Sequence, residues 1–174
     1  KMLIRLLILC FVYFLPYVAA AQQKTLPALK INQSIKIDGN LDDAAWKIAE
    51  PISNFITISP VFGKPAKRIS KVKLVYDNNA IYIGAYLYDN PSTIRKQLTA
   101  RDMLDRQNVD IFTVGFDTYH DKQNAFIFRV SPANVQSDIK ISQSGAVYDH
   151  SWDAVWESKT SIKADGWVAE IKIP

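Results

Sequence analysis

Apolar residues along this chain recur mostly at every second position, in short runs divided by polar breaks rich in Asn, Asp and Gly. Such alternation marks half-buried β-strands, whose side chains point to opposite faces in turn. Residues 109–117 and 124–131 are the densest in β-branched and aromatic side chains, and the polar break 118–123 predicts that they pair as a hairpin. Runs 70–77 and 80–88 predict a second hairpin, turned at Asp77-Asn78-Asn79, and 154–163 with 167–173 a third, turned at Asp165-Gly166. The alternating run 29–37 reads as a short bent strand or a hairpin, 54–59 and 135–142 are further strands, and 91–98 reads as a connection with a helical turn. One stretch differs. Residues 42–49 read as a short helix, N-capped by Asp42 or Asp43 and stopped by Pro51, with Trp46 turned into the core. About nine strands and one small helix predict an all-β fold, an antiparallel β-sandwich of jelly-roll type.

Ionisable residues inside apolar arms then draw the eye. Asp110 lies in the first arm of the central hairpin and Arg129 in the second. A register pairing even with odd positions puts them on one face, as a polar ligand site or as an ordinary structural ion pair. In the run 80–88, Ile81, Ile83, Ala85 and Leu87 share one face, while Tyr82, Tyr86 and Tyr88 share the other with Gly84 between them. Tyrosines flanking a glycine gap offer a stacking floor for a flat ligand, or cover a second sheet face beneath a loop.

The amino terminus changes the picture of where the protein works. Lys1 and Arg5, the apolar run 6–18 and Ala19-Ala20-Ala21 have the three parts of a secretory signal peptide over residues 1–21, predicting export with cleavage after Ala21. Cys10, the chain's one cysteine, falls in that segment, so the domain at 22–174 must hold together without disulfides. Setting Lys1 and Arg5 aside lowers the net charge from +4 to +2. Lys64, Lys67, Arg68, Lys71 and Lys73 are spread over a loop and a strand and read as a solvated face; no nucleic-acid partner is expected. The chain starts with Lys1 ahead of Met2 and stops at Pro174 straight after a strand, which predicts a longer protein continuing beyond that residue.

Catalytic patterns are scarce. His120 and His150 fall in predicted loops, no nucleophile elbow is present, and the glycines are scattered singly, so no phosphate-cradling loop is formed. No spacing selects two carboxylates for glycoside hydrolysis. The segment is read as non-enzymatic and without a cofactor. The one metal option is a structural calcium on Asp117, Asp121 and Asp138 with backbone carbonyls, without EF-hand spacing.

The runs IDGNLDDAAW (37–46), KLVYDNNAIYIGAYLYD (73–89), VDIFTVGFD (109–117), FIFRV (126–130) and GWVAEIKIP (166–174) together resemble the family 9 carbohydrate-binding module. Arg101-Asp102, FDTYHDKQNAFIF (116–128) and SWDAVWE (151–157) are similar to a group of large exported bacterial proteins. There such a module precedes a C-terminal region of outer-membrane-barrel character. The resemblance implies a sugar-binding β-sandwich in which tryptophans sandwich the ring and charged and amide side chains grip hydroxyls. Its acid falls on Asp110 and its arginine on Arg129. Leu104 stands where the first sandwiching tryptophan would be, the second tryptophan and the amide would lie beyond Pro174, and Trp152 is the substitute; Trp156, in a strand, is read as core. The expected ligand set is thus Asp110, Arg129, Tyr86 and Trp152. The expected partners are a carbohydrate and the chain's own region beyond Pro174, in the periplasm or at the outer membrane. The alternatives are an interaction domain that has lost sugar binding and packs on a following barrel, and an accessory domain of a hydrolase whose active site lies past residue 174.

Overall fold

The structure is a computed structural model describing residues 25–174 apart from Ser34 and Gln107, with no side-chain description at Arg106. The predicted signal segment 1–21, with Cys10 and its cleavage point, lies outside the described residues. In chain order the elements are β1 (Ala28–Lys30), α1 (Ala44–Ile48), β2 (Ser70–Tyr76), β3 (Ile81–Tyr88), β4 (Phe112–Phe116), β5 (Ala125–Val130), β6 (Gln136–Ser142), β7 (Val147–Asp149), β8 (Glu157–Lys163) and β9 (Gly166–Ile173). They form a five-stranded sheet, β1-β2-β3-β9-β8, and a four-stranded sheet, β4-β5-β6-β7. Every pairing is antiparallel except the edge pair β1 and β2, which is parallel. The all-β sandwich holds, with a mixed rather than purely antiparallel larger sheet.

Alternation explains the core. Val72, Ile83, Ala85, Trp167, Ala169 and Ile171 line the inner face of the larger sheet, and Phe128 and Val130, with the partly buried Phe112, Val114 and Phe126, meet them from the smaller one. Burying such side chains stabilises by roughly 1.5–3 kcal/mol each relative to exposure, which makes this layer the main source of cohesion. The run 29–37 keeps only β1 as strand, although Ile31 and Ile35 are buried. The predicted strand 54–59 instead joins an irregular arm held by the bridge Ile56–Pro65.

The outer face of the larger sheet is covered by the N-terminal segment. Trp46 of α1 has no exposed surface and packs with Val75, Ala80 and Tyr82 in a second apolar cluster. Asp43 occupies the N-cap position, but its side chain makes no capping bond; its carbonyl accepts from the Trp46 and Lys47 amides. Gly84 is the gap into which this lid fits, since a Cβ there would lie 2.7 Å from Leu41 and 3.2 Å from Trp46.

Glu170 fastens the lid. This β9 carboxylate is fully buried and accepts from the backbone amides of Asp38 and Gly39, both at 2.9 Å, and from Trp46 Nε1 at 2.8 Å. Gly39 reaches it with φ +85° and packs against the Thr160 backbone, which favours glycine at the centre of the Asp38-Gly39-Asn40 turn. Burial pushes the Glu170 carboxyl above its ordinary 4.5, while the three donors pull it back only in part. With the folded value above the unfolded one, the group's contribution is complete below pH 4.5 and declines as the pH rises through the folded value. Glu170→Gln turns an amide NH2 toward N–H donors. It is expected to lower unfolding free energy by about 1–3 kcal/mol in urea titrations and to remove that decline with pH.

Candidate functional site

The register of β4 and β5 decides where the expected site residues go. Phe112 pairs with Val130, Thr113 with Arg129 and Val114 with Phe128, so even positions face even ones. Arg129 therefore projects outward with Thr113, while Asp110 keeps the parity of Phe112 and Val114. The expectation that Asp110 and Arg129 share a face is wrong. The cause lies in the turn between the strands, where Asp117 accepts from the amides of Asp121 and Lys122, and Asp121 from those of Gln123 and Asn124. These captures, with His120 and Lys122 at positive φ, fix the loop length and hence the register.

Each charge finds another partner. Asp110, just before β4, accepts from Arg95 N at 3.0 Å, Nε at 2.8 Å and Nη2 at 2.6 Å, and its own amide donates to the Arg95 carbonyl. Asn108 accepts from Arg95 Nη1. Arg129 grips Asp105 with both Nη atoms, at 2.7 and 2.5 Å. That guanidinium holds the Asp105 carboxyl below the usual carboxylate range. Leu104, beside Asp105, is sealed among Val109 and Val135 and is a core residue.

The aromatic expectations also separate. Tyr86 donates its hydroxyl to Asp165 at 2.5 Å and lies against Tyr88, ring centroids 4.6 Å apart; burial and Asp165 push its phenol up to about 12. Tyr82 is buried under the lid and donates to Asp77. Trp152 packs on Phe126 at 4.8 Å and lines an apolar cavity of about 300 Å³ with Ile81, Phe116, Ile173 and Pro174. Trp156 is core, as alternation indicates, and donates Nε1 to the fully buried Asp138.

Among the described residues, two polar clefts are lined by guanidinium groups. One, about 290 Å³, is lined by Arg68, Tyr88, Asp89, Arg95, Asp110 and Trp167. It holds two carboxylate–guanidinium pairs, Arg68–Asp89 at 2.8 Å and Arg95–Asp110 at 2.6 Å, with half of the Arg95 side chain exposed. The Asp89 amide donates to the Asp165 carbonyl, which ties this rim to the turn bearing the Tyr86 partner. Guanidinium forks and carboxylates at fixed positions offer the donors and acceptors that vicinal hydroxyls need. The other cleft, about 530 Å³, is lined in part by Arg101, Asn134, Gln136 and Glu157. Arg101 is committed there to Gln136, Asp138, Asp153 and the Ala154 carbonyl. Sequence reasoning missed Asp89 and Arg95 as site residues and read Arg68 as part of a solvated face; all three fall in connections where no periodicity flags them. Arg101 stood in a noted Arg-Asp pair.

The calcium expectation finds no common centre. Asp117 and Asp121 cap their own turn, whereas Asp138 sits within β6, and among the described residues no group of His, Cys, Asp or Glu is placed to hold a metal.

Residues 37–174 match the family described as carbohydrate family 9 binding domain-like. The chain belongs to that family. Two solved structures share its fold, both a family 9 carbohydrate-binding module from Caldicellulosiruptor kristjanssonii. The one in complex with glucose has a TM-score of 0.58 and 20% identity, covering 84% of this chain and 68% of that one. The one in complex with cellotriose has a TM-score of 0.54 and 22% identity, covering 84% and 67%. No curated protein matches the chain. This family 9 domain keeps the sandwich but assigns the expected acid and arginine to separate internal pairs.

Because Arg129 lowers the Asp105 pKa, that pair's contribution is present above the carboxyl's ordinary 3.8 and is lost as pH falls through the folded value. In Arg129→Ala the Asp105 titration followed by NMR is expected to return toward 3.8; the ion pair itself contributes near or below about 1 kcal/mol because Asp105 is half exposed, and the lost packing of the largely buried Arg129 side chain adds to the destabilisation.

Proposed function

We propose that this domain is a non-catalytic carbohydrate-binding module of an exported protein that works in glycan capture or breakdown, in the periplasm or at the outer membrane. The observation that carries the reading is the cleft at Arg68, Tyr88, Asp89, Arg95 and Asp110, in a chain that belongs to a carbohydrate-binding family. Half of the Arg95 side chain is exposed, and Asp110 and Asn108 fix the orientation of its guanidinium. A bound sugar places its hydroxyls against that oriented pair and the Arg68–Asp89 pair, and its C–H face toward Tyr88. The glucose and cellotriose of the two structural neighbours make these the first ligands to try. Export is supported by the three-part pattern of residues 1–21. The chain's own continuation past Pro174 is the second partner in this reading, meeting the apolar cavity that Trp152, Ile173 and Pro174 line.

A second reading is a structural or interaction domain without sugar affinity. Its support is the saturation of the inherited charges, Asp110 by Arg95 and Arg129 by Asp105.

Calorimetric titration with glucose and cellotriose separates the two. Binding that weakens by about tenfold or more in Arg95→Ala and in Asp110→Ala, with the melting temperature little changed, is the expected result. No heat at millimolar sugar, or affinity untouched by both substitutions, rejects the cleft as the sugar site.

A further inference from the structure

The arm 54–66 is at odds with a wholly water-facing surface. Phe55, Ile56, Ile58, Val61 and Phe62 are all exposed, Ile58 at 81% and Phe62 at 75%. Single exposed apolar residues are ordinary, but a contiguous group of them marks an interaction surface. The arm is also built to leave water cheaply. The Thr57 amide donates to the Lys64 carbonyl, the Gly63 amide to that of Thr57 and the Ala66 amide to that of Phe55, while Thr57 Oγ1 donates to the Val61 carbonyl. Backbone groups paired inside the arm do not have to be stripped of water one by one when the tip is buried.

Charge on the same segment has one sign. From Pro51 to Tyr76 there is no acidic residue, against Lys64, Lys67, Arg68, Lys71 and Lys73. Three of these are engaged within the fold, Arg68 with Asp89, Lys71 over the Tyr88 ring and Lys73 with the Trp46 carbonyl. Lys64 and Lys67 are exposed on the descending limb, just behind the apolar tip. An exposed apolar group followed by exposed cations matches a surface that is soft and apolar inside and anionic at its rim.

We propose that the arm 54–66 is a membrane-surface anchor that inserts Ile58, Val61 and Phe62 into a bilayer containing anionic phospholipid, with Lys64 and Lys67 set on the headgroups. Arg68, next to Lys67 in the chain, lines the polar cleft. The anchor does not depend on the cleft's ligand.

The test uses residues 22–174, the chain left by the predicted cleavage after Ala21 and free of cysteine, carrying an environment-sensitive fluorophore on Val61→Cys that reports the tip. A control probe on Val147→Cys, at the exposed edge strand of the other sheet, reports the body of the domain. Vesicles are phosphatidylcholine alone or with about one part in four phosphatidylglycerol. The expected result is a blue shift at position 61 with the anionic vesicles, little with the neutral ones and none at 147. High salt reduces it, and partitioning falls at least about tenfold in Ile58→Ser/Phe62→Ser, whose melting temperature is unchanged because both side chains are already in solvent. The anchor is rejected by any of three results: no shift with anionic vesicles, an equal shift at both probes, or unaltered partitioning in the double variant. A blue shift that grows with protein concentration in the absence of lipid rejects it too, and makes the arm a contact between copies of the chain.

Discussion

A carboxylate with no exposed surface has to collect hydrogen-bond donors from whatever covers it, and this fold is assembled around two such groups. Glu170 on β9 takes the amides of Asp38 and Gly39 and the Trp46 indole, which fixes the N-terminal lid on the larger sheet. Asp138 on β6 takes Arg101 Nη2, the Ala154 amide and Trp156 Nε1, which draws the loops before β4 and before β8 onto the smaller sheet. Each acid is short-range chemistry with long-range reach, joining segments far apart in the chain. Removing the donors strands a buried charge, which is why such pairs hold position more than they add net stability.

With those loops fixed, the remaining charges have little freedom over where they appear. Even parity in β4 and β5 belongs to Phe112, Val114, Phe126 and Phe128, so a charge on odd parity must face outward, as Arg129 does. Asp110 stops short of β4 and turns toward the connection holding Arg95, at the end of the sandwich where β3 finishes with Tyr88. The polar cleft arises at that junction because strand ends and connections meet there, free of the packing demands of the core. Its chemistry is that of paired guanidinium and carboxylate groups beside a phenol ring, suited to hydroxyl-rich ligands.

Much of the architecture was legible in the amino-acid pattern, and the exceptions are physical. The Asp-Asn-Asn and Asp-Gly turns placed two hairpins correctly because those residues tolerate the required backbone angles. Trp46 was legible as core from its Ala neighbours in a short helix. The β4–β5 parity was not, because it depends on how many residues the turn consumes, and Asp117 and Asp121 settle that through backbone captures that leave no mark in hydrophobic periodicity. The parallel β1–β2 edge and the short β7 escaped for a related reason, as three-residue strands carry too few alternations to register. Of the expected ligand set, only Asp110 lines the polar cleft. Arg95 escaped notice, and Arg68 was read as part of a solvated face, because irregular connections place side chains by hydrogen bonding and not by period.

The most direct test of the account is amide and side-chain NMR of the domain during addition of cellotriose, read residue by residue. Shifts gathered at Arg68, Tyr88, Asp89, Arg95 and Asp110 are the predicted outcome. Shifts centred on Arg129 and Asp105 would contradict it, as would a spectrum that the sugar leaves unchanged.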